Sequence, residues 1–353
     1  MSPVAESPVK VGVLTGGGDC PGLNAVIRAV VRAGMQAGFE TIGIRNGWLG
    51  LIEGDVEPLT DFSVSGILPK GGTILGTSRT NPLASTADFQ KITTNIRKFG
   101  IDALIVIGGD GTLSAARDVY LHGIPLVGIP KTIDNDIWGT DMTFGFDTAV
   151  SIVTEAIDRL HTTAESHHRI MVVEVMGRNV GWIALMSGIA GGADIILIPE
   201  VHFSMDEVCR DLTLRYEAGK KFSIVAVAEG VHREDIGSPP VPDGEQNECG
   251  HEKFVGIGNL IGKELERRLG VETRVTILGH IQRGGTPTAF DRILATRFGV
   301  AAVDLVAAGD FGKMVAVRGD RITTIPLEDA VSRQKTVDLD LYELAKTVTW
   351  GRK

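Results

Sequence analysis

Short apolar segments that alternate with amphipathic ones constrain this chain more than any other feature. Residues 9–14 are rich in β-branched side chains and end in glycines, and residues 24–35 then carry apolar side chains at helical spacing. Similar apolar runs recur at 103–107, 126–129, 170–175 and 222–228. Strands separated by helices predict an α/β fold with mostly parallel sheets, in which ligands bind at the carboxyl ends of the strands.

Length and composition predict a soluble protein of two domains. The chain has 353 residues, 43% of them hydrophobic, yet no apolar run approaches the roughly 18–20 residues of a membrane span. The net charge of −9 disfavours nucleic acid and anionic membrane surfaces as partners. The three cysteines (Cys20, Cys209 and Cys249) form no paired framework, and residues 1–7 lack the apolar core of a secretion signal, so we expect a cytoplasmic setting.

Residues 16–18 are three glycines that close the first predicted strand. Glycines let backbone N–H groups approach a phosphate, and the helix that follows presents its positive end. The segment alone is equally compatible with a plain strand-to-helix turn. The chain has neither a G-x-G-x-x-G fingerprint nor a G-x-x-x-x-G-K-[ST] loop, which disfavours a P-loop kinase.

Residues 108–112, with the sequence GGDGT, form a more specific segment. The glycines leave open backbone for a polyphosphate, and Asp110 can hold Mg²⁺ directly or through water between the donor phosphates. The competing interpretation is that Asp110 caps the helix predicted to start near Thr112.

Residues 131–136, with the sequence KTIDND, place two carboxylates two residues apart. Asp134 is the candidate base for a sugar hydroxyl, and Asp136 can orient it or contribute to the metal. Asn135 and Asp136 are also compatible with an Asx turn. Lys131 either pairs with these acids or reaches a phosphate, and the sequence leaves both open.

Arginines supply the local positive charge that anionic substrates need. Five of them follow or adjoin a predicted strand end or a glycine turn, where a guanidinium group can grip phosphate oxygens. They are Arg79, Arg169, Arg178, Arg274 and Arg283. His280 and Arg283 lie three apart before two glycines, which fits a phosphate-gripping turn better than a helix face. The eight histidines show no metal-ligand spacing beyond the pair at 167–168.

Four segments, taken in order, resemble the 6-phosphofructokinase family: GGDGT at 108–112, KTIDND at 131–136, VMGR at 175–178 and GHIQRGG at 279–285. The resemblance runs from about residue 9 to about residue 309. GGDGT alone is shared with NAD kinases and lipid kinases of a related fold, whereas the four together are specific. The resemblance implies two doubly wound α/β domains with the active site in the cleft between them.

The implied reaction is transfer of the ATP γ-phosphoryl group to the 1-hydroxyl of fructose 6-phosphate, with pyrophosphate as the alternative donor. The implied donor domain comprises residues 1–145 and about 282–332, and the sugar-phosphate domain residues 146–281 and about 333–353. Asp134 would be the catalytic base, and Arg178 would stabilise charge on the transferring phosphoryl group.

The resemblance also implies which residues contact each substrate. The nucleotide would be bound by Gly17, Arg79, Thr80, Gly109, Asp110, Gly111 and Thr112, with Asp110 on Mg²⁺. Fructose 6-phosphate would contact Thr132, Ile133, Asp134, Met176, Gly177, Arg178, Glu229, His280, Ile281, Gln282 and Arg283. In the family, Arg169 and Arg274 reach across from a neighbouring subunit, which implies a homo-oligomer, usually a tetramer, with shared sites.

Two positions disagree about the phosphoryl donor. Family members that use pyrophosphate typically carry aspartate at the position of Gly111 and lysine at that of Lys131. Gly111 leaves room for the α-phosphate of ATP, and a nearby lysine need not exclude a nucleotide, so we predict ATP. Residues 76–81 and Trp182 also resemble the mixed ATP/pyrophosphate branch of the family.

The effector site that regulated bacterial members form between subunits is incomplete in this sequence. Arg28, Arg32 and Lys220 or Lys221 match it, but Asp61 and His161 stand where arginines are expected. We therefore predict little response to ADP or phosphoenolpyruvate.

Two other functions compete with this one. A kinase for another acceptor, such as NAD, leaves residues 132–136 and 280–283 without a role. A non-catalytic sugar-phosphate-binding subunit would lack the base or the metal-binding acid, and both Asp134 and Asp110 are present.

Residues 237–250, which include three prolines, predict a surface loop or flexible insertion.

Overall fold

The computed structural model describes residues 8–236 and 256–349, and the predicted loop at 237–250 lies outside these ranges. The chain divides into two compact units. Unit 1 comprises Met1–Thr148 and Arg283–Gln334, and unit 2 comprises Ala149–Gln282 and Lys335–Lys353. Within the described ranges, no helix is long and apolar enough to cross a membrane.

The elements alternate along the chain as the sequence pattern predicts. The strands are β1 (Lys10–Thr15), β2 (Glu40–Ile44), β3 (Val56–Leu59), β4 (Ala103–Gly108), β5 (Leu126–Thr132), β6 (Phe144–Gly145), β7 (Ile170–Val175), β8 (Ile195–Leu197), β9 (Ser223–Ala228), β10 (Thr273–Ile277), β11 (Lys313–Arg318) and β12 (Arg321–Pro326). The helices are α1 (Leu23–Gln36), α2 (Trp48–Glu53), α3 (Thr86–Phe99), α4 (Asp110–Leu121), α5 (Phe146–His167), α6 (Trp182–Ala190), α7 (Met205–Glu217), α8 (Ile257–Leu269), α9 (Ala289–Ala307), α10 (Leu327–Ala330) and α11 (Leu339–Val348). Two short 3₁₀ helices, Arg233–Ile236 and Gly279–Arg283, complete the described elements.

Unit 1 is built on an eight-stranded sheet in the order β12-β11-β5-β4-β1-β2-β3, with β6 beside β5. The strands from β11 to β2 are parallel, whereas β3 and β12 pair antiparallel to β2 and β11 at the two edges. The predicted mostly parallel sheet is confirmed. The antiparallel edge strands were not predicted.

Apolar side chains cover both faces of this sheet, as alternation along buried strands requires. Leu14 and Leu104 lie in a buried cluster with Trp48 of α2 and Leu113 of α4. Side chains that alternate with these along β1 and β4 point to the opposite face of the sheet. On that face, α1 and α9 pack against each other, α1 packs on β1, and α9 packs on β5.

Unit 2 contains a four-stranded, fully parallel sheet in the order β10-β7-β9-β8. Helix α8 packs on β7 and β10, and α6 packs on β8 and β9. All residues of β7 and β9 are buried, which is typical of central strands in a covered parallel sheet.

The strand order determines where the polar loops meet. In the sheet of unit 1, β2 lies on one side of β1 and β4 lies on the other. The connections that follow β1 and β4 therefore leave in opposite directions, which makes this a topological switch point. In unit 2 the loops after β7, β9 and β10 leave neighbouring strands. The predicted functional loops therefore lie at the carboxyl ends of the strands in both units.

Candidate active site

The glycine turn after β1 is joined by hydrogen bonds to its neighbours. Gly16 N donates to Ile107 O at the end of β4, over 2.9 Å. Gly17 has a φ of 78°, which favours glycine, and its N–H donates to Ser78 O over 2.9 Å. Thr77 Oγ1 donates back to Gly17 O over 2.6 Å. These bonds bring the segment that carries Arg79 and Thr80 next to Gly17.

The glycines of the loops after β1 and β4 differ in how much space surrounds them. A Cβ at Gly16 would lie 2.7 Å from Thr112 Cγ2, and one at Gly108 would overlap the same side chain, so both glycines are needed for packing. A Cβ at Gly109 would lie 3.4 Å from its nearest neighbour, and one at Gly111 would meet nothing within 4 Å. Open space therefore lies at Gly111, and a Cβ at Gly109 would be in ordinary contact with Lys131 O.

Asp110 is the first residue of α4, and Gly109 is the N-cap without a side-chain capping bond. The alternative interpretation, that Asp110 caps this helix, is therefore wrong, as is the later predicted start near Thr112. Asp110 and Gly111 are exposed at the positive end of the helix. An exposed carboxylate beside open backbone at that end suits a polyphosphate with its cation.

Three consecutive polar residues after β5 have separate surroundings. Asp134 is 5% exposed, and its N–H donates to Thr132 Oγ1 over 3.0 Å. Asn135 has a φ of 53°, and its Oδ1 accepts from Thr143 N over 3.0 Å. Asp136 Oδ2 accepts from Gln334 Nε2 over 3.0 Å. Asn135 thus has the turn role that the sequence left open, and Asp136 is engaged by Gln334.

Lys131 is buried beneath the glycine turn. It is 2% exposed, and its Nζ donates to Gly18 O. Burial lowers the pKa of its ammonium group, and Arg283 acts in the same direction, while Cys20 and Asp134 oppose the shift. Cys20 is itself fully buried, and burial raises the pKa of its thiol to about 12, so this cysteine is not a nucleophile at neutral pH.

Arg283 lies against the same turn. Its Nη1 donates to Asp19 O over 3.3 Å, and a Cβ at Gly18 would lie 2.5 Å from that nitrogen. Gly18 therefore has to be glycine for this approach. The structure places Arg283 with the residues predicted to bind the donor, although the resemblance assigns it to the sugar phosphate.

In unit 2, the loop after β7 is fixed by two polar side chains. Gln282 Oε1 accepts from Met176 N over 3.2 Å, and its Nε2 donates to Gly279 O over 3.0 Å. Glu229 Oε1 accepts from the N–H groups of Gly177 and Arg178 over 3.3 and 3.0 Å. Arg178 has a φ of 53°, a left-handed conformation that these bonds stabilise.

Residues 279–283 form one turn of 3₁₀ helix, where the sequence predicts a phosphate-gripping turn rather than a helix face. Gln282 is fully buried, whereas Ile281 is 60% exposed and His280 is also exposed. The buried amide supports the loop at Met176, and the two exposed side chains face outward from the same turn.

Arg169 and Arg274 do not join this group. Arg169 precedes β7 and Arg274 is near the start of β10, so both lie at the amino ends of strands whose carboxyl ends carry Met176 and Gly279. About 16 Å of extended chain separates the two ends. The two arginines instead share the carboxylate of Glu272, and Arg169 Nε lies 2.7 Å from Glu272 Oε2. These contacts lower the pKa of the Glu272 carboxyl, and the hydrogen bond from Arg169 has the largest effect.

Two doubly wound α/β units with glycine-rich loops at the carboxyl ends of parallel strands define a class of proteins that handle phosphorylated small molecules. Within that class, the chain belongs to the phosphofructokinase family, whose model matches residues 10–306.

Curated relatives cover nearly the whole chain and differ in their named donor. The pyrophosphate–fructose 6-phosphate 1-phosphotransferase of Streptomyces coelicolor is 58% identical over 95% of this chain and 98% of its own length. ATP-dependent 6-phosphofructokinase 3 of the same organism is 53% identical over 96% of this chain and all of its own. The ATP-dependent 6-phosphofructokinase of Mycobacterium leprae is 51% identical over 95% of this chain and 98% of its own.

Solved structures agree with the fold. Phosphofructokinase from Saccharomyces cerevisiae aligns with a TM-score of 0.81 and 33% identity over 97% of this chain, which spans half of the yeast chain. A pyrophosphate-dependent phosphofructokinase from Marinobacter aquaeolei aligns with a TM-score of 0.81 over 98% of this chain and 92% of its own, at 20% identity. The predicted phosphofructokinase-like fold is confirmed.

Proposed function

We propose that this chain is an ATP-dependent 6-phosphofructokinase, which converts fructose 6-phosphate and ATP into fructose 1,6-bisphosphate and ADP. Membership of the family and the relatives named for this activity support the acceptor and the reaction. The observation that favours ATP is the open space at Gly111, where a Cβ would meet nothing within 4 Å. Glycine at this position leaves the backbone beside Asp110 unobstructed by a side chain.

The position of Lys131 is compatible with the same donor. A lysine that selects pyrophosphate has to present its charge to the donor, but this ammonium group is buried and donates to Gly18 O. The charge of Lys131 therefore stabilises the glycine turn.

In the proposed reaction, Asp134 accepts the proton of the 1-hydroxyl of fructose 6-phosphate as that oxygen bonds to the γ-phosphorus. The bond from the γ-phosphorus to the bridging oxygen breaks, and ADP leaves. Arg178 stabilises the negative charge on the phosphoryl group in flight. Asp110 would hold Mg²⁺, which neutralises charge between the donor phosphates when bound.

The remaining assignments follow the resemblance. Backbone and side chains of Gly17, Arg79, Thr80, Gly109 and Thr112 would hold the nucleotide. The sugar phosphate would be held by Thr132, Ile133, Met176, Gly177, Glu229, His280, Ile281, Gln282 and Arg283. Arg169 and Arg274 would serve a neighbouring subunit of a tetramer, which their position away from Met176 supports. The glycolytic reaction implies a cytoplasmic enzyme.

The test is formation of fructose 1,6-bisphosphate from fructose 6-phosphate and Mg²⁺, measured in parallel with ATP and with pyrophosphate. We expect turnover with ATP and little with pyrophosphate. Turnover with pyrophosphate alone would overturn the donor, and none with either would reopen the acceptor.

A second candidate is the pyrophosphate-dependent phosphotransferase. Two observations favour it: the presence of Lys131 close to Gly17 and the 58% identity to the Streptomyces coelicolor enzyme of that name. In that case Lys131 would have to leave Gly18 O to reach the donor, and pyrophosphate would give the higher kcat/KM in the parallel assay.

A further inference from the structure

Asn24 is a buried amide on α1 that no step of the proposed reaction uses. It is 2% exposed, on a helix whose other buried side chains are small or apolar. A polar group removed from water needs hydrogen-bond partners, and an amide can make up to four hydrogen bonds. Its partners therefore indicate what the residue is for.

Three hydrogen bonds of the Asn24 side chain go to one backbone segment. Nδ2 donates to Lys70 O and to Gly71 O, each over 3.1 Å, and Oδ1 accepts from Ile74 N over 2.8 Å. A single side chain thus fixes the course of five residues that lie about fifty positions later in the sequence.

The segment that Asn24 holds leads directly to the predicted donor residues. Thr73 Oγ1 lies 3.0 Å from Thr15 Oγ1, and Thr15 Oγ1 also donates to Gly76 O over 2.7 Å. Ser78 and Thr77 then bond to Gly17 as described above, and Arg79 and Thr80 follow. Residues 70–78 are therefore held from three sides, by Asn24, by Thr15 and by the glycine turn.

The segment also touches the turn that carries Arg283. A Cβ at Gly71 would overlap Gly285 O, so the two backbones are in direct contact. A change in the course of residues 70–74 therefore alters contacts with the donor segment on one side and with this turn on the other.

We infer that Asn24 is a positioning residue for the phosphoryl donor: it fixes residues 70–74, and through them Arg79 and Thr80, against the glycine turn. The inference rests on the proposed function. It predicts that the loss of Asn24 weakens donor binding while the reacting groups stay in place, since Asn24 is not expected to touch either substrate.

The matched control is Asn95, another asparagine that donates to two distant backbone carbonyls. Its Nδ2 donates to Leu51 O over 2.9 Å and to Ile52 O over 3.1 Å, so these bonds join α3 to the last turn of α2 rather than to residues 70–80. Asn24→Ala and Asn95→Ala remove comparable hydrogen bonds, so both should lower Tm.

The experiment measures KM for ATP, KM for fructose 6-phosphate and kcat for both variants. We expect Asn24→Ala to raise KM for ATP by about 10-fold, the equivalent of one or two lost hydrogen bonds. We expect its KM for fructose 6-phosphate and its kcat at saturating ATP to change by less than about 3-fold, and Asn95→Ala to leave all three near wild type.

Thr73→Val provides a second measurement if Asn24→Ala fails to fold. The substitution removes the hydroxyl that faces Thr15 and should raise KM for ATP in the same direction. An unchanged KM for ATP in the folded variants, or an equal change in Asn95→Ala, would overturn the inference. A wild-type protein without turnover of fructose 6-phosphate would instead contradict the proposed function.

Discussion

At the scale of single residues, the loop after β5 carries the proposed base, Asp134, beside two residues with structural partners. Asn135 and Asp136 are as buried as Asp134, but Asn135 is bonded to Thr143 N and Asp136 to Gln334 Nε2. Both neighbours therefore hold the loop that presents Asp134. A substitution that keeps volume and polarity should distinguish the base from its supports.

Asp134→Asn should reduce kcat by at least about 100-fold, because an amide cannot accept the proton of the sugar hydroxyl. KM for fructose 6-phosphate should stay within about 3-fold of wild type, since the amide still fills the site. The control is Asp136→Asn, which keeps an oxygen for Gln334. Near-normal turnover of Asp134→Asn, or an equal loss in Asp136→Asn, would rule out the assigned base.

Gly111→Asp should lower kcat/KM for ATP by at least about 10-fold and leave Tm unchanged. A Cβ at this position meets nothing within 4 Å, so the substitution does not crowd the backbone, and the carboxylate adds a second negative charge beside Asp110. Gly111→Ala, with a smaller uncharged side chain, should give an intermediate effect in the same coupled assay. ATP kinetics unaffected by both substitutions would show that this space is not the donor site.

The residues proposed for the site were easier to propose from the sequence than their supports. The acids and glycines at 108–112 and 131–136 stand in contiguous motifs, which a sequence displays directly. Asn24, Thr15 and Gln334 act through partners that are about fifty to two hundred residues away. A single sequence gives no sign of such pairing beyond a polar residue on an otherwise apolar helix face.

At the scale of elements, boundaries marked by local chemistry were predictable. The bounds of α8, Ile257–Leu269, are an example, because Gly256 and Gly270 flank this helix with positive φ. The hairpin of β11 and β12 was missed. Its signal was the pair Gly319-Asp320 between two β-rich runs, which is typical of a two-residue hairpin turn.

The start of α9 contains a carboxylate that should make stability depend on pH. Asp291 is fully buried, its Oδ2 accepts from Thr148 N over 2.8 Å and from Thr148 Oγ1 over 2.5 Å, and burial raises its pKa from 3.8 to about 6. A raised pKa means that the folded state binds the proton more tightly. Stability from this group is present below pH 4 and is lost as the pH rises through about 6.

Asp291→Asn should therefore flatten this dependence. Between pH 4 and 7 the wild-type free energy of unfolding should fall relative to the variant by up to about 3 kcal/mol, the equivalent of the change in pKa. Urea unfolding of both proteins across this range measures the difference. If the free energy of unfolding depended on pH in the same way for both proteins, the pKa of Asp291 would be the same in the folded and unfolded states.

At the scale of the whole molecule, the effector response should be weak. Arg32 Nε lies 2.8 Å from Asp61 Oδ1, and His161 Nε2 lies 2.7 Å from Gly191 O. Asp61, which stands where an arginine is expected, thus neutralises Arg32, one of the arginines that match the effector site. Rate curves against fructose 6-phosphate should change by less than about 2-fold on adding phosphoenolpyruvate or ADP, and a strong sigmoidal shift would contradict this.

The position of Arg169 and Arg274 bears on assembly. Both lie at the amino ends of strands, bound to Glu272, while Met176, Arg178 and Gln282 lie at the carboxyl ends. If these arginines bind the sugar phosphate, they bind it in another copy of the chain. Arg274→Ala should then raise KM for fructose 6-phosphate strongly, although Asp134 is unchanged in the variant chain.

Hybrids of two defective chains test this sharing directly. Arg274→Ala chains keep the base, and Asp134→Asn chains keep the arginine, so a site formed from one of each has both groups. Mixing the two variants under reversible dissociation and reassembly should restore part of the activity at low fructose 6-phosphate, which neither variant shows alone. A mixture that is only as active as the sum of its parts would mean that each chain completes its own site, and Arg274 would then need a different role.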